Sequence, residues 1–433
     1  MRDARASAST SAAVIRITAD DVAHYAYARE GNAHVVFRYT GPRPELRGAL
    51  LRLLKTPAGA RGDRAWRCHT VDALVGGADR DEASWTTLDA AARDAFFANA
   101  PTTSGRAGWR DDRAVVRVDG DALNALALKT TRDAAHETAR AEGRDGRVAN
   151  AAEAFGQLSE VAAETSRVFE DDVENAWVIE IKPKSFVGAI VNGRRAWRFP
   201  AHQRLKVARG EREAASSYVP VDLLGGDADV RRACEALMAC PQNNLRVTRG
   251  ARVFVDARGV TADADVVSTL SRVLPNLVMN AREVFEFIFH HQLRGGDDAV
   301  KTYRDVHELC ERLNATRQRA GEVSEDLLER LRSFVLGQMA KDCSVLFTVT
   351  FDVNVSDIES RDDDLVRFAT FVDANGATRA CAYRAQIIDA SLKSLAKTSA
   401  WLRLAEDIDA SCVADADADD SRRDFVNALF AST

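Results

Sequence analysis

Six short segments of this 433-residue chain bring together residue types that handle phosphate. The densest is Glu180-Ile181-Lys182-Pro183-Lys184. In extended geometry Glu180, Lys182 and Lys184 point to one side. One acid and two ammonium groups suit a place where a nucleotide meets an anionic acceptor. A solvated strand face is the plainer reading of the same residues. Pro241-Gln242-Asn243-Asn244-Leu245-Arg246 offers three amides and an Arg, a set that grips phosphate and hydroxyl oxygens or simply forms a polar loop. In Arg198-Phe199-Pro200-Ala201-His202-Gln203-Arg204-Leu205-Lys206, a helix from Ala201 puts His202 and Lys206 at i and i+4. Two cationic donors so placed suit a phosphate, and equally an ordinary exposed helix face.

Two more segments carry carboxylates at element boundaries. Lys341-Asp342-Cys343-Ser344 sits between a helical and a strand pattern, where Asp342 can take a proton from an attacking hydroxyl or serve as a cap. Ile387-Ile388-Asp389-Ala390-Ser391-Leu392-Lys393 ends an apolar strand on Asp389, a common place for a magnesium ligand in phosphotransferases. Lys393, Lys397 and Trp401 recur every four residues, so a helix there would align them on one stripe. The sixth segment, Arg29-Glu30-Gly31-Asn32-Ala33-His34, is a Gly/Asn turn between two strand patterns. Such a turn either offers backbone N–H groups to a nucleotide's phosphates or only joins strands. Arg52 on the next strand pattern could reach the same phosphates. Asp415 to Asp420 resembles a calcium loop but lacks the glycine, and Val426 stands where the bidentate Glu belongs. His290, His291, His307 and Cys310 match no zinc spacing, so no structural zinc is expected.

The composition narrows the class. Net charge is -6, which speaks against a general nucleic-acid binder. Of 59 basic residues only nine are Lys, and seven of those fall in or beside the six segments. Lys is a compact point charge and Arg a wide fork, so retained lysines suggest a geometric demand. Chance retention is the alternative. Apolar residues make up 46%, enough for a large core. No apolar run is long enough to span a membrane, so no membrane association is expected. Seven scattered cysteines without a CxxC pair fit a reducing compartment, cytoplasmic or nuclear. Met1 to Arg16 reads as a disordered leader or a short organellar address.

The elements that must position these residues form an α+β pattern. Tyr25–Arg29 and His34–Tyr39 read as a hairpin and Ala49–Lys55 as a third strand. Residues 121–168 read as helix with loops, and Val178–Lys182 as a strand stopped by Pro183. Residues 196–210 and 227–240 read as helices, and Leu245–Val255 as a hairpin. Residues 262–340 are mainly helical, with breaks at Pro275 and Gly295-Gly296. Ser344–Val355, Phe368–Val372 and Ala382–Ile388 read as strands, and Leu392–Glu406 as helix. The expected division is a flexible leader (1–20), a smaller β-containing first lobe (21–182), a larger mixed second lobe (183–410) and an acidic tail (411–433).

Taken in order, REGNAHVVFRY, GALLRLLK, EIKPK, RFPAHQRLK, YVPVDLL, PQNNLR, KDCS and IDASLKSLAK resemble the inositol-pentakisphosphate 2-kinase family. The resemblance covers residues 24–56, 176–256, 341–350 and 384–402, and is loose elsewhere. It implies a two-lobed inositol polyphosphate kinase-like fold, ATP and Mg2+ as cofactors, and transfer to the 2-hydroxyl of inositol 1,3,4,5,6-pentakisphosphate, giving the hexakisphosphate. It assigns Gly31, Asn32, Ala33, His34, Arg52, Glu180, Ile181, Lys182, Arg246 and Asp389 to ATP and magnesium. Lys184, Lys206, Asn243, Lys393, Lys397 and Trp401 go to the inositol phosphate, with His202 and Asn244 nearby. Asp342 becomes the carboxylate at the reacting hydroxyl, with Lys182 and Asp389 beside it in catalysis. A monomer is expected. The chain departs from the family at Ser394 for Pro, Lys397 for Arg and Trp401 for Tyr. Thr56-Pro57 replaces an expected Arg; Arg132 and Arg140 are candidates for a further substrate Arg. The plant members' zinc site has no counterpart. Two rivals remain: a non-catalytic inositol phosphate-binding protein, and another small-molecule kinase on a related fold.

Overall fold

The computed structural model describes residues 15–30, 34–46, 50–56, 85–98, 100, 102–103, 106–107, 113–119, 121–122, 125–126, 147–148, 153–159, 176–191, 194–250, 252–261, 263–296, 300–316, 324–351, 367–373, 375–393 and 395–412. Helices and mostly antiparallel sheets are mixed along the chain, so the class is α+β. The chain divides into two compact units, one made of residues 1–60, 84–87 and 112–164, the other of 61–83, 88–111 and 165–433.

The first unit is built on one sheet. Its strands are β1 (Arg16–Ile17), β2 (Tyr25–Glu30), β3 (His34–Tyr39), β4 (Leu50–Thr56), β5 (Arg113–Asp119), β6 (Arg147–Val148) and β7 (Glu153–Ser159). Their order is β1-β5-β7-β4-β3-β2, with β6 on β4. Ile17, Tyr25, Phe37, Tyr39, Leu51 and Leu53 form its apolar core. The β2–β3 hairpin and β4 are as the sequence predicts. Two readings are corrected. The sequence predicts helix with loops over 121–168, yet β6 and β7 lie there, and β7 pairs with both β4 and β5. Ala and Glu favour helix only weakly, and two strand partners override that preference. The leader reading also extended too far, because Arg16–Ile17 pairs in parallel with Arg117–Val118 and buries Ile17.

The second unit holds the other large sheet. Its strands are β8 (Trp177–Ile181), then the hairpin β9 (Gly188–Val191) and β10 (Arg194–Trp197), β11 (Leu245–Arg249), β12 (Arg252–Asp256), β13 (Gly259–Val260), β14 (Ser344–Phe351), β15 (Arg367–Val372) and β16 (Thr378–Ile388). The sheet runs β13-β12-β11-β8-β14-β16-β15. Strand β8 was expected with the first lobe. It is hydrogen bonded on both edges here, to β11 and β14. Ile179, Ile181, Val345, Phe347 and Val349 are buried on one face of this sheet.

Eight helices of eight residues or more lie among the described residues: α1 (Trp85–Phe97), α2 (Arg198–Ala208), α3 (Asp227–Ala239), α4 (Ala264–Asn280), α5 (Arg282–Arg294), α6 (Val300–Thr316), α7 (Glu325–Ala340) and α8 (Thr398–Cys412). Pro275 does not break α4, contrary to expectation. Buried Leu274, Leu277 and Val278 around it offset the one backbone bond a proline removes. The Gly295-Gly296 break is real: Gly295 caps α5 and Gly296 has φ +113. Gly295 also meets Gly337 of α7. A Cβ on either glycine would lie 2.7 Å from the other's Cα, so only glycine permits this crossing. The last helix starts at Thr398, not Leu392. Among the described residues, no helix is long and apolar enough to cross a membrane.

Candidate functional site

The second unit gathers charged residues from four of the six segments. Lys184 and Lys393 flank one carboxylate. Lys184 Nζ lies 3.5 Å from Asp342 Oδ1, and Lys393 Nζ lies 3.0 Å from Asp342 Oδ2. Lys182 Nζ lies 4.0 Å from Asp389 Oδ2. Glu180 accepts a 2.9 Å hydrogen bond from the Ser344 hydroxyl. It also stands opposite Arg246 across the β8–β11 ladder. The Asn244 side chain donates to the Lys182 carbonyl at 3.0 Å, and the Lys182 N–H donates to the Asn244 carbonyl at 2.8 Å. That reciprocal pair ties the PQNN turn to the strand end.

The backbone at these places is unusual. Among the described residues, the non-glycine residues with positive φ are Lys184 (+67), Gln242 (+49) and Asp389 (+58). All three fall in the predicted segments. A side chain held in the left-handed region costs on the order of 1–3 kcal/mol and persists only where surroundings impose it. The surroundings are visible. Tyr218, fully buried, donates its hydroxyl to the Pro183 carbonyl at 3.2 Å. Gln292 donates to the Lys184 carbonyl at 2.8 Å. Buried Asp89 of α1 accepts from the Leu392 N–H beside Lys393.

The electrostatics follow from this geometry. Partial burial works to raise the Asp342 carboxyl, but the Lys393 and Lys184 ammonium groups outweigh it and hold it at about 2. Asp342 is therefore ionised throughout the physiological range. Burial lowers the Lys184 ammonium, and Asp342 opposes that shift. Burial also lowers Lys206, with Arg212 adding to it. His202 is held down at about 4 by burial and by the positive charges of Lys206, Arg198 and Lys184. The expectation of two cationic donors at His202 and Lys206 is thus corrected: in the free protein His202 is neutral at pH 7.

The remaining predicted residues fall as follows. Ile181 is buried at the end of β8 and Asn243 is exposed in the PQNN turn. Lys393 lies in the non-helical stretch before a short 3-10 turn, Leu395–Lys397. Lys393, Lys397 and Trp401 consequently do not share one helical stripe, and Lys397 is exposed. Trp401 packs against Phe334 at 5.9 Å, and Phe334 against Tyr303 at 5.8 Å. In the first unit, the register sets His34 opposite Leu54 and Arg52 opposite Val36. Gly31, Asn32, Ala33, Arg132, Arg140 and the 415–430 segment lie outside the described residues.

The zinc candidates have other partners. His291 stacks on Phe96 at 4.3 Å, and His307 meets the Thr398 hydroxyl at 3.2 Å. Among the described residues, no three His, Cys, Asp or Glu side chains draw together as a metal cage. For magnesium and a nucleotide the donor chemistry does fit. A hard cation wants carboxylate oxygen, which Asp389 supplies, and phosphates want an ammonium nearby, which Lys182 supplies.

Sequence reasoning missed the supporting residues. Ser344 stood in the KDCS segment with no role assigned. Tyr303 was overlooked, yet it accepts Lys341 Nζ at 3.2 Å and carries the Arg198 guanidinium 5.0 Å above its ring. Asp89 and Gln292 act across 303 and 108 residues of sequence, so no local signal marks them. The β9–β10 hairpin did have a signal, the Asn192-Gly193 pair between its strands.

Comparison with known proteins agrees with this chemistry. A family model described as inositol-pentakisphosphate 2-kinase matches residues 27–407. An inositol-pentakisphosphate 2-kinase of Drosophila melanogaster is 36% identical over 83 residues, 19% of this chain and 13% of that protein. One of Arabidopsis thaliana is 22% identical over 239 residues, 48% of this chain and 51% of that protein. The matched stretches thus span about half or less of those relatives' own lengths.

Proposed function

From the premise that this chain belongs to the inositol-pentakisphosphate 2-kinase family, we propose that it transfers the γ-phosphoryl group of ATP to the 2-hydroxyl of inositol 1,3,4,5,6-pentakisphosphate. The observation that carries the reading is the Asp342 carboxylate set between the Lys184 and Lys393 ammonium groups. A carboxylate able to orient a hydroxyl stands where phosphates would crowd. The acceptor carries five phosphates of about 1.5 to 2 charges each. Lys184, Lys206 and Lys393 supply charge-assisted donors to such an anion, with Asn243, Lys397 and Trp401 at its margin. His202, neutral in the free protein, can take up a proton as the anion arrives.

Magnesium, when bound with ATP, neutralises charge on the β- and γ-phosphates as the phosphoryl group moves. Asp389 would hold the metal, and Lys182, Glu180 and Arg246 would hold the nucleotide. Asp342 has a distinct task. With two ammonium groups on it, its carboxylate is a weak base. A bound polyphosphate competes for those ammonium groups and raises the basicity of Asp342. The carboxylate then orients the attacking hydroxyl and accepts its proton as the oxygen commits to phosphorus. Phosphoryl transfer relies on alignment and charge neutralisation, so a modest base suffices.

Asp342→Asn tests this reading. Turnover should fall on the order of 10²-fold or more while pentakisphosphate binding persists by calorimetry. Near-normal turnover in that variant would remove Asp342 from the reacting centre. Tight binding with no turnover in the wild type would instead favour the non-catalytic rival.

A further inference from the structure

Residue 292 of α5 lies in a stretch that carries none of the phosphate-handling segments. Its side chain is completely buried, at 0% exposure. Its amide bonds the backbone at the Lys184–Phe186 stretch and at the end of α7. Gln292 Oε1 accepts from the Phe186 N–H at 2.8 Å. Gln292 Nε2 donates to the Lys184 carbonyl at 2.8 Å and to the Ala340 carbonyl at 3.1 Å. One amide therefore grips the backbone at Lys184, again two residues later, and at the last residue of α7. Ala340 lies two residues before Asp342, and the chain between is a tight turn, with Lys341 N–H bonded to the Gly337 carbonyl at 3.2 Å and Asp342 N–H to the Met339 carbonyl at 3.1 Å. One helical turn beyond Gln292, the contact of Gly295 with Gly337 brings α5 close enough to α7 for this reach.

We propose that Gln292 is a positioning residue that sets the separation of Lys184 from Asp342 by clamping the backbones that carry them. The inference rests on the reading of Asp342 and Lys184 as the reacting centre. Its reasoning is geometric. Lys184 sits at φ +67, a conformation its own side chain does not favour, so something must hold it. Asp342 is on a different element, and the nearest ladder pair, Ile181 opposite Val345, stops three residues short of each. Gln292 supplies a direct link, with both amide protons committed to carbonyls, one on each side. An apolar residue of similar length would fill the space and leave two carbonyls and one N–H without their partner. The left-handed turn would then relax, and the 3.5 Å pair would open.

The experiment compares Gln292→Met with wild type by three readouts. The kcat for phosphoryl transfer should fall roughly 10- to 100-fold, the loss expected of an ångström-scale misplacement. The KM for ATP should scarcely change. In a Lys184→Met background the same substitution should add little further loss, because both act on one interaction. The third readout needs no activity: the Asp342 carboxyl, followed by carbon NMR and assigned through Asp342→Asn, should titrate above its wild-type value. The groups facing that carboxyl are Lys393, Lys184 and Lys182, and of these Lys184 is the one whose own backbone Gln292 holds. Multiplicative losses in the double variant, or an unmoved Asp342 titration in folded protein, would overturn the proposal. If Gln292→Met does not fold, Gln292→Glu carries the same test, since it keeps the bond to Phe186 and can donate to at most one of the two carbonyls. Failure of both to fold would also overturn it, making Gln292 a residue of the core alone. A wild type without transfer would refute the proposed function while the titration still decides this one.

Discussion

Lys393→Met removes the ammonium closest to Asp342, 3.0 Å away, and leaves Lys184 at 3.5 Å. The carboxyl is held from its ordinary 3.8 down to about 2. At about 1.4 kcal/mol per unit that is nominally about 2 kcal/mol of preference for the charged form. Half of the Asp342 side chain is exposed, at 50%, so water screens the pair and the usable coupling is roughly 1 kcal/mol. Lys393 is the nearer of the two flanking ammonium groups and the larger of the two causes that lower the carboxyl. Its loss should raise the Asp342 carboxyl by up to about half a unit. The linkage has a definite sign. A depressed folded-state value gives stability that is present above the unfolded value and lost as pH falls through the folded one. Wild type should therefore lose this contribution between about pH 4 and pH 2, and Lys393→Met should lose less over the same window. Carbon NMR of the carboxyl gives the titration, and thermal unfolding against pH gives the stability. An Asp342 that titrates identically in both proteins would refute the assigned ion pair and with it the geometry of the centre.

Gly337→Ala places a Cβ 2.7 Å from the Gly295 backbone and should destabilise the protein by about 1–3 kcal/mol, read as a lower melting temperature. His202 is held at about 4 in the free protein, and a bound polyanion must raise it. Pentakisphosphate binding between pH 7 and pH 5 should therefore take up protons at His202, in addition to any at the ligand's own phosphates, by calorimetry in buffers of different ionisation enthalpy. His202→Gln should lower that uptake; an unchanged uptake would place His202 away from the ligand.

Most of the site was legible because its residues are chemically marked and locally clustered. Glu180, Lys182 and Lys184 stand within five residues, and a chain with nine lysines displays two of them there. The boundary carboxylates Asp342 and Asp389 were visible as polar residues at the ends of apolar strands. Their contact with lysines from other segments was not, since it depends on β14 and β16 pairing beside β8. Charge states were also out of reach: His202 reads as a cation until its neighbours Arg198, Lys184 and Lys206 are assembled around it. Strand β7 was misread because its Ala and Glu favour helix, and only pairing with β4 and β5 makes it a strand. The stripe through Lys393 failed for a related reason. Residues 391–393 are not helical and the helix begins at Thr398, after a short 3-10 turn, so the three side chains lose the common four-residue spacing. Polar clamps such as Gln292 and Tyr218 carry no sequence mark at all, because a buried amide or phenol is defined by what folds around it.

The most direct test of the account is incubation of the purified protein with ATP, magnesium and inositol 1,3,4,5,6-pentakisphosphate, with the product identified by chromatography and phosphorus NMR. The account predicts inositol hexakisphosphate, formed mole for mole with ADP, with the new phosphate on the 2-hydroxyl. Pentakisphosphate recovered unchanged from active-site-intact, folded protein, or a phosphate added elsewhere on a different acceptor, would contradict it.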